Sequence, residues 1–269
     1  MFHHEHYALR YSSVQSNSKA GRKISMILAM LLMFFGVKLA HAACDDPPVP
    51  GVIWIGCDKQ RADLNGIRLN NAVLSRTNFR DADLRGADLV GADLSFATLT
   101  GARLDEARLT GARLIGANLQ RVSARRARFD RARLNRAELD AVDFERAVLD
   151  GASLYDLSAV KARLHGAHLE GANLEQANLR GANLTGAVLR NANMMQINLE
   201  DADLSGANLE MARLDRAMIV RANCNAANFS RATFTGADIT STRFDNARFD
   251  NATWIDRHRC KPGAIGECP

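Results

Sequence analysis

The residue types that most often perform chemistry are scattered along this chain of 269 residues, which includes five cysteines, seven histidines and 30 acidic residues. The sequence contains no glycine-rich phosphate loop, zinc-ligand spacing or nucleophile motif that would bring such residues together. We interpret His165 and His168 as solvated surface, and Cys224 as a small buried hydrophobe that stays reduced. We therefore predict no catalytic residue, no cofactor and no metal ion, and we expect the protein not to be an enzyme.

Asp and Asn recur at intervals of five residues, as at Asp83, Asp88, Asp93 and Asn173. This spacing resembles paired catalytic carboxylates or a calcium ladder. Calcium-binding β-rolls, however, use a nine-residue glycine-rich repeat that the sequence lacks. We therefore interpret the Asp and Asn residues as an exposed polar row beside a buried Leu.

These residues are positioned by a sequence repeat with a period of five residues. From Leu64 to Trp254, thirty-nine consecutive units have an apolar or small residue at every fifth position, and Ala stands two residues earlier in thirty-two of them. A period of five fits neither a helix nor a flat strand. It predicts three extended residues, with the centre and the residue two before it facing inward, followed by a two-residue turn.

These units resemble the A(D/N)LxG repeat of the pentapeptide repeat family, as in Ala82-Asp83-Leu84-Arg85-Gly86 and Ala182-Asn183-Leu184-Thr185-Gly186. The resemblance covers residues 62–256. It implies an all-β fold, a right-handed quadrilateral β-helix in which four units form one coil. On that basis we expect a solenoid of about ten coils. The four-sided shape and the handedness come from the resemblance and not from the period.

Two groups of units depart from the Leu rule. In the units of Ala124 and Ala159 the larger side chain has moved to the flanking inward position, at Val122 and Leu157, so we expect both inward positions to share one core. The last centres are aromatic. We interpret them as an end cap, with a homodimer interface at the C-terminal end, as in some family relatives, as the alternative. These aromatic centres are Phe229, Phe234, Phe244, Phe249 and Trp254.

The N-terminal segment has the organisation of a secretory signal peptide. Three basic residues precede the apolar stretch 24–37, and Ala40-His41-Ala42 supplies small residues for cleavage after Ala42. We therefore predict a signal peptide over 1–42 and a periplasmic or extracellular protein without a stable membrane span after processing. An uncleaved anchor, a misassigned start codon and lipidation at Cys44 are the alternatives. The remaining divisions are an N-terminal cap at 43–61, the β-helix at 62–256 and a C-terminal cap at 257–269.

Each flank of the repeat region contains one Trp and two Cys, which is similar to the terminal segments of exported pentapeptide proteins. A solenoid needs caps because its ends expose unpaired backbone and apolar side chains. In an oxidising compartment we expect disulfides between Cys44 and Cys57 and between Cys260 and Cys268, each closing a short flap over one end.

The charged residues are banded. The formal charge is +5, most of this excess lies in residues 1–42, and the remainder is close to neutral. Residues 101–136 contain ten Arg and three acidic residues, whereas 137–160 contain six acidic residues and one Arg. The two alternative interpretations are mutual neutralisation of the bands and an anion-binding face. Its residues are Arg103, Arg108, Arg113, Arg128 and Arg133.

Taken together, these patterns favour a non-enzymatic exported solenoid that serves as a binding or scaffold surface for a protein or an anionic glycan. The family resemblance implies a second function, since well-studied pentapeptide proteins shield DNA gyrase by imitating duplex DNA. The export signal and the balanced charge of the repeats, 25 basic against 25 acidic residues, oppose this function, and we expect no nucleic-acid partner. A polysaccharide-degrading enzyme is a third hypothesis, opposed by the absence of a predicted cleft.

Overall fold

The structure, a computed structural model, describes residues 44–269, so the predicted signal peptide lies outside the described residues. Within residues 44–269 the chain forms neither helices nor strands of several residues. It forms single-residue β-bridges that recur at every fifth position. No helix in this range has the length and apolar character needed to cross a membrane. The predicted all-β class is confirmed.

Each parallel bridge pairs a residue with the one twenty positions later. Because bridged residues recur every five positions, each coil contributes four of them, and they form four columns that we call faces 1 to 4. The first bridge joins Ile53 to Val73, so the coiled geometry begins within the segment 43–61 that was predicted as a cap. Face 1 extends from Ile53 to Thr253, face 2 from Asp58 to Asp238, face 3 from Asp63 to Arg243 and face 4 from Arg68 to Arg248.

Backbone hydrogen bonds join every coil to its neighbours. The N–H of Asp83 donates to the preceding coil at 2.9 Å, and those of Leu84 and Gly86 donate to the following coil at 2.8 and 2.9 Å. The N–H of Ala87 closes the turn by donating to the Leu84 carbonyl at 3.1 Å. Gly86 has a φ of 61°, and this left-handed conformation at the third turn residue explains why Gly is frequent there.

The two inward positions of each unit form one continuous core. Ala82 and Leu84 are completely buried, and the same two positions are buried in almost every unit from Val52 to Ala252. The core therefore consists of stacked layers of Leu and Ala, with Phe near its end, and its burial is the main hydrophobic stabilisation of the rod. The predicted pair of inward positions is confirmed.

The two reversed units pack differently. Val122 and Ala124 are fully buried, and the N–H of Val122 makes the usual turn bond to Leu119 at 3.1 Å. Beside Ala159, in contrast, a cavity of about 20 Å³ remains, with Leu139, Leu157 and Leu179 among its lining residues. The N–H of Leu157 also lacks a backbone acceptor within 44–269, although the equivalent turn bond is present almost everywhere else. Leu157 therefore replaces the volume of a central Leu only in part, and it opens the turn that precedes it.

Exchanging the two side chains in the double variant Leu157→Ala/Ala159→Leu restores the common pattern. We expect its free energy of unfolding to be about 1 kcal/mol higher than that of the wild type, because the cavity is filled and the turn hydrogen bond can form. Urea unfolding followed by circular dichroism measures the difference. The single variant Leu157→Ala is the control and should be destabilised; a double variant no more stable than the wild type would contradict this account.

Candidate functional site

The outward Asp and Asn row has a structural role. Asp83 Oδ1 accepts the backbone N–H of Arg85 at 3.2 Å, and Asn173 Oδ1 accepts that of Glu175 at 3.2 Å. The same bond recurs along the rod. These amides belong to the second turn residue, whose N–H has no backbone acceptor in the adjacent coils. The row therefore caps turns. Its residues are outward and polar as predicted, but residues such as Asp83 and Asn173 are only partly exposed, because their side chains bend back onto the turn.

The ten arginines of residues 101–136 wrap around the rod, because this segment is nearly two coils long; we call them the arginine belt. Arg113 and Arg133 are bridged neighbours on face 1, and Arg108 and Arg128 are bridged neighbours on face 4. Arg103 lies on face 3, bridged to neither pair. The five residues predicted as one anion-binding face thus occupy three faces, with two stacked pairs on adjacent ones.

Several belt arginines have acidic partners. Arg108 lies 3.5 Å from an Asp88 oxygen, and Arg128 lies 3.1 Å from Asp130. Burial opposes the ionisation of Asp130, yet its hydrogen bonds, led by that from Arg128, lower its pKa below the usual value. Across the boundary to the acidic band, Arg125 pairs with Asp143 at 2.6 Å. The neutralisation predicted as an alternative therefore accounts for part of the belt.

Three exposed arginines at the corner of faces 4 and 1 have no such partner. Arg113 and Arg133 stack on face 1, and Arg131 lies at the adjacent turn with its stem over Gly151. Among the residues that the structure describes, none of the three has a carboxylate oxygen within 4.0 Å of its guanidinium. We call Arg113, Arg131 and Arg133 the arginine row. Arg113 and Arg133 belong to the predicted site, whereas Arg131 was not among the five predicted residues.

A groove of about 490 Å³ follows the corner between faces 3 and 4 across three coils. The residues of the groove are largely engaged with one another. Ser123 Oγ donates to Asp105 Oδ1 at 2.6 Å, and Arg126 lies 3.7 Å from Glu106. The groove is a poorer anion site than the arginine row because it also contains acidic residues. Its lining residues are Arg103, Asp105, Glu106, Ser123, Arg125, Arg126, Glu145 and Arg146.

The N-terminal cap is held by the predicted disulfide between Cys44 and Cys57, whose Cα atoms are 5.3 Å apart. Its flap covers Trp54, which is only 1% exposed and donates its indole N–H to the Asp46 carbonyl at 3.2 Å. The Lys59 ammonium lies 4.0 Å from the centre of the Trp54 ring. The first coil is therefore closed by an aromatic plug under a covalently tied flap.

The C-terminal segment folds back on the last coil and covers two of its four faces. Antiparallel bridges join Arg248 to Ile265 and Thr253 to Arg259, on faces 4 and 1. The predicted disulfide between Cys260 and Cys268 is present. On faces 2 and 3, the N–H groups of Ile239 and Phe244 find no backbone acceptor within the described range.

The aromatic centres near this end pack mainly on one another. Phe229, Phe234 and Phe249 are fully buried, and the rings of Phe249 and Trp254 are 5.0 Å apart. Phe244, on the uncovered face 3, and Trp254, on face 1, remain partly exposed. The packing agrees with an end cap, and the homodimer through this end stays a prediction.

A cluster of ligating side chains in this cap was missed at the sequence level. His258 Nδ1 lies 2.5 Å from Asp256 Oδ1, and His258 Nε2 lies 3.1 Å from Cys268 Sγ. The only signal for it in the sequence is the short spacing of His258 and Cys260 ahead of Cys268. Cys224, in contrast, is completely buried, and burial raises the pKa of its thiol, so it fits the predicted role of an inert hydrophobe.

A comparison with protein families matches this chain to the family described as pentapeptide repeats, in eight copies. The matched segments are 60–95, 92–130, 127–158, 160–196, 182–218, 197–236 and 219–253. No curated protein matches the chain.

The chain is also similar to several solved structures. HetL, a pentapeptide repeat protein involved in heterocyst differentiation regulation from the cyanobacterium Nostoc sp. strain PCC 7120, is 27% identical over 86% of this chain and 98% of HetL, with a TM-score of 0.47. Full-length QnrB1, a plasmid-mediated fluoroquinolone resistance protein, is 15% identical over 74% of this chain and 93% of QnrB1, with a TM-score of 0.39. A pentapeptide repeat protein from the Arabidopsis thaliana thylakoid lumen is 28% identical over 34% of this chain and 60% of that protein, with a TM-score of 0.19.

Asp250 anchors the C-terminal cap in a manner that depends on pH. Its Oδ1 accepts the backbone N–H of Gly263 at 2.7 Å. This bond, assisted by Arg248, lowers the pKa of Asp250 below its usual value. A carboxylate whose pKa is lower in the folded than in the unfolded state stabilises the fold above its unfolded pKa of about 3.9, and this contribution is lost as the pH falls through the folded value.

We therefore expect the wild type to lose more stability than Asp250→Asn when the pH is lowered from about 6 to about 3. Urea midpoints at both pH values measure the loss. Asp245→Asn is the matched control, because the Asp245 carboxylate accepts no hydrogen bond within residues 44–269, and it should behave as the wild type does. Equal losses in all three proteins would show that Asp250 does not anchor the cap.

Proposed function

Because this chain belongs to the pentapeptide repeat family, we propose that it is an exported, non-enzymatic rod of about ten coils that binds an anionic glycan at the arginine row. Pentapeptide repeat proteins are in general structural or binding proteins rather than enzymes. Within residues 44–269 the Leu and Ala core is closely packed, and the cavity beside Ala159 measures only about 20 Å³, so a ligand has to bind on the outside of the rod.

The observation that carries this proposal is the unpaired charge of the arginine row. Arg113 and Arg133 are one coil apart, a separation of about 4.8 Å between their backbones, and Arg131 lies on the same coil as Arg133. A guanidinium group without an acidic partner can bind a carboxylate or sulfate through two parallel N–H donors. Three such groups side by side favour a ligand with several anionic groups over a single ion.

The surface next to the row favours a glycan as that ligand. In the coils that follow Arg133, face 1 continues with Ser153, Asn173 and Asn193, each of which is bridged to the next. Asn193 Nδ2 donates to Asn173 Oδ1 at 3.0 Å, and the remaining hydroxyl and amide groups are available to sugar hydroxyls. An extended glycan lying along the rod would place its anionic groups on the arginine row and its hydroxyls on this column.

Export is supported by the caps. Disulfides form and persist in oxidising compartments, and both flaps are closed by disulfides. We expect a periplasmic or extracellular mature protein that begins at Ala43. Cell fractionation of the full-length chain, followed by N-terminal sequencing and mass measurement, tests this. Recovery from the cytoplasm with Met1 retained would overturn export and favour the gyrase-binding alternative, and an added lipid mass at Cys44 would identify a lipoprotein.

For glycan binding, Arg113→Glu/Arg133→Glu is expected to weaken heparin binding by about tenfold or more, because it replaces two unpaired guanidinium groups with repelling carboxylates. Isothermal titration at low salt measures the affinity. Arg80→Glu/Arg243→Glu is the matched control, since it makes the same change in net charge at exposed residues on the side of faces 2 and 3, away from face 1, and it should bind nearly as the wild type does.

Arg108→Glu/Arg128→Glu should have an intermediate effect, since Arg108 and Arg128 already contact Asp88 and Asp130. If the control variant lost as much affinity as Arg113→Glu/Arg133→Glu, binding would depend on net charge alone. Unchanged affinity in all variants would exclude the arginine row as a glycan site.

A further inference from the structure

The C-terminal cap brings three potential metal ligands together at the end of the rod, away from the arginine row. His258, Cys260 and Cys268 each offer one ligand atom, and these atoms all lie within 4.8 Å of one another. Cys260 is buried, Cys268 is partly buried, and His258 is exposed. Among residues 44–269 this is the one group of at least three His, Cys, Asp or Glu side chains with such mutual distances.

Asp256 orients the histidine. Its Oδ1 accepts the backbone N–H of His258 at 3.2 Å and contacts His258 Nδ1 at 2.5 Å. A ring N–H on Nδ1 is the tautomer that can donate to this carboxylate. His258 Nε2 then directs its lone pair toward Cys268 Sγ, 3.1 Å away. A carboxylate behind the distal ring nitrogen is the usual support of a zinc-binding histidine.

We propose that the cap binds one zinc ion through His258 Nε2, Cys260 Sγ and Cys268 Sγ once a dithiol reductant has opened its disulfide. The dithiol is oxidised to its own disulfide, while the bond between Cys260 and Cys268 breaks and each sulfur gains one electron and one proton. Zinc binding then displaces the two thiol protons without any change in the oxidation state of the metal. Water occupies the fourth position.

The positions of the ligands suit this ion. In a tetrahedral site with Zn–S bonds of about 2.3 Å and a Zn–N bond of about 2.0 Å, the ligand atoms are roughly 3.5 to 3.8 Å apart. His258 Nε2 is already close to this separation from Cys268 Sγ, at 3.1 Å, and the two sulfurs reach it by moving apart once the bond between them is broken. The disulfide is a competing bond between two of the ligands, so reduction has to precede zinc binding.

Backbone hydrogen bonds also hold the cap against the last coil. Cys260 N–H donates to Ala252 at 2.9 Å, and Gly266 N–H donates to Ala247 at 2.8 Å. These bonds hold both ends of the loop that contains the cysteines against the last coil. The two thiols thus stay close to each other and to His258 after reduction, so the cost of assembling the site is small. Zinc in turn stabilises the reduced cap by mass action.

The experiment uses the mature protein reduced with a phosphine, which is removed under anaerobic conditions, and cobalt(II) as a spectroscopic probe. We expect one cobalt ion per chain, with thiolate-to-metal charge-transfer bands and tetrahedral d–d bands that zinc abolishes. The oxidised protein should show neither. Reduced Cys260→Ser/Cys268→Ser is the matched control, since it retains Cys44, Cys57 and Cys224, and it should lack these bands.

His258→Ala tests the third ligand and is expected to weaken zinc binding at least about tenfold, measured by competition with a chromogenic chelator. Circular dichroism checks that each variant keeps the β-helix. A reduced wild type without the thiolate bands would overturn the site. A reduced Cys260→Ser/Cys268→Ser variant that showed the same bands would also overturn the site. Unchanged affinity in His258→Ala would overturn the assignment of His258 as a ligand. The site does not depend on glycan binding, so either result leaves the heparin experiment unaffected.

Discussion

The structure depends on the packing of two inward side chains from every five-residue unit into one narrow core. A Leu and an Ala at these positions bring the four sides of the coil to a common separation, and each coil can then bond to the next through its backbone. The unit of Leu157 and Ala159 shows how closely volume is matched. When the large side chain moves to the flanking position, a cavity remains and one turn hydrogen bond is absent.

This core limits function to the outer surface. It occupies the cross-section of the rod, and the outward Asp and Asn side chains accept hydrogen bonds from the turns. Which outward residues become neighbours on one face therefore depends on the spacing of twenty residues between adjacent coils. A cluster of arginines that is continuous in the sequence becomes a belt around the rod, and only residues twenty apart, such as Arg113 and Arg133, become neighbours on one face. The arginine row results from this geometry and from the absence of acidic partners there within the described residues.

The caps are the places where the repeat rule stops applying, and side chains of varied chemistry gather there. The N-terminal cap combines a disulfide with a buried Trp54, whereas the C-terminal cap leaves faces 2 and 3 of the last coil open. In the repeat each outward residue meets its equivalents above and below. In the fold-back segment the chain contacts itself over short distances, and His258 and Cys268 meet because of that reversal.

The sequence by itself determined the five-residue period, the inward positions, the shared core at the reversed units and the two disulfide partners. It could do so because each of these features depends on residues within one unit or one short flap. Tertiary structure alone decided that coiling begins at Ile53, that Arg103 lies apart from the other predicted arginines, and that Arg131 joins Arg113 and Arg133. These features depend on contacts between coils. The uncovered half of the last coil and the cluster around His258 depend on how the C-terminal segment folds back, and no periodic pattern in the sequence encodes that path.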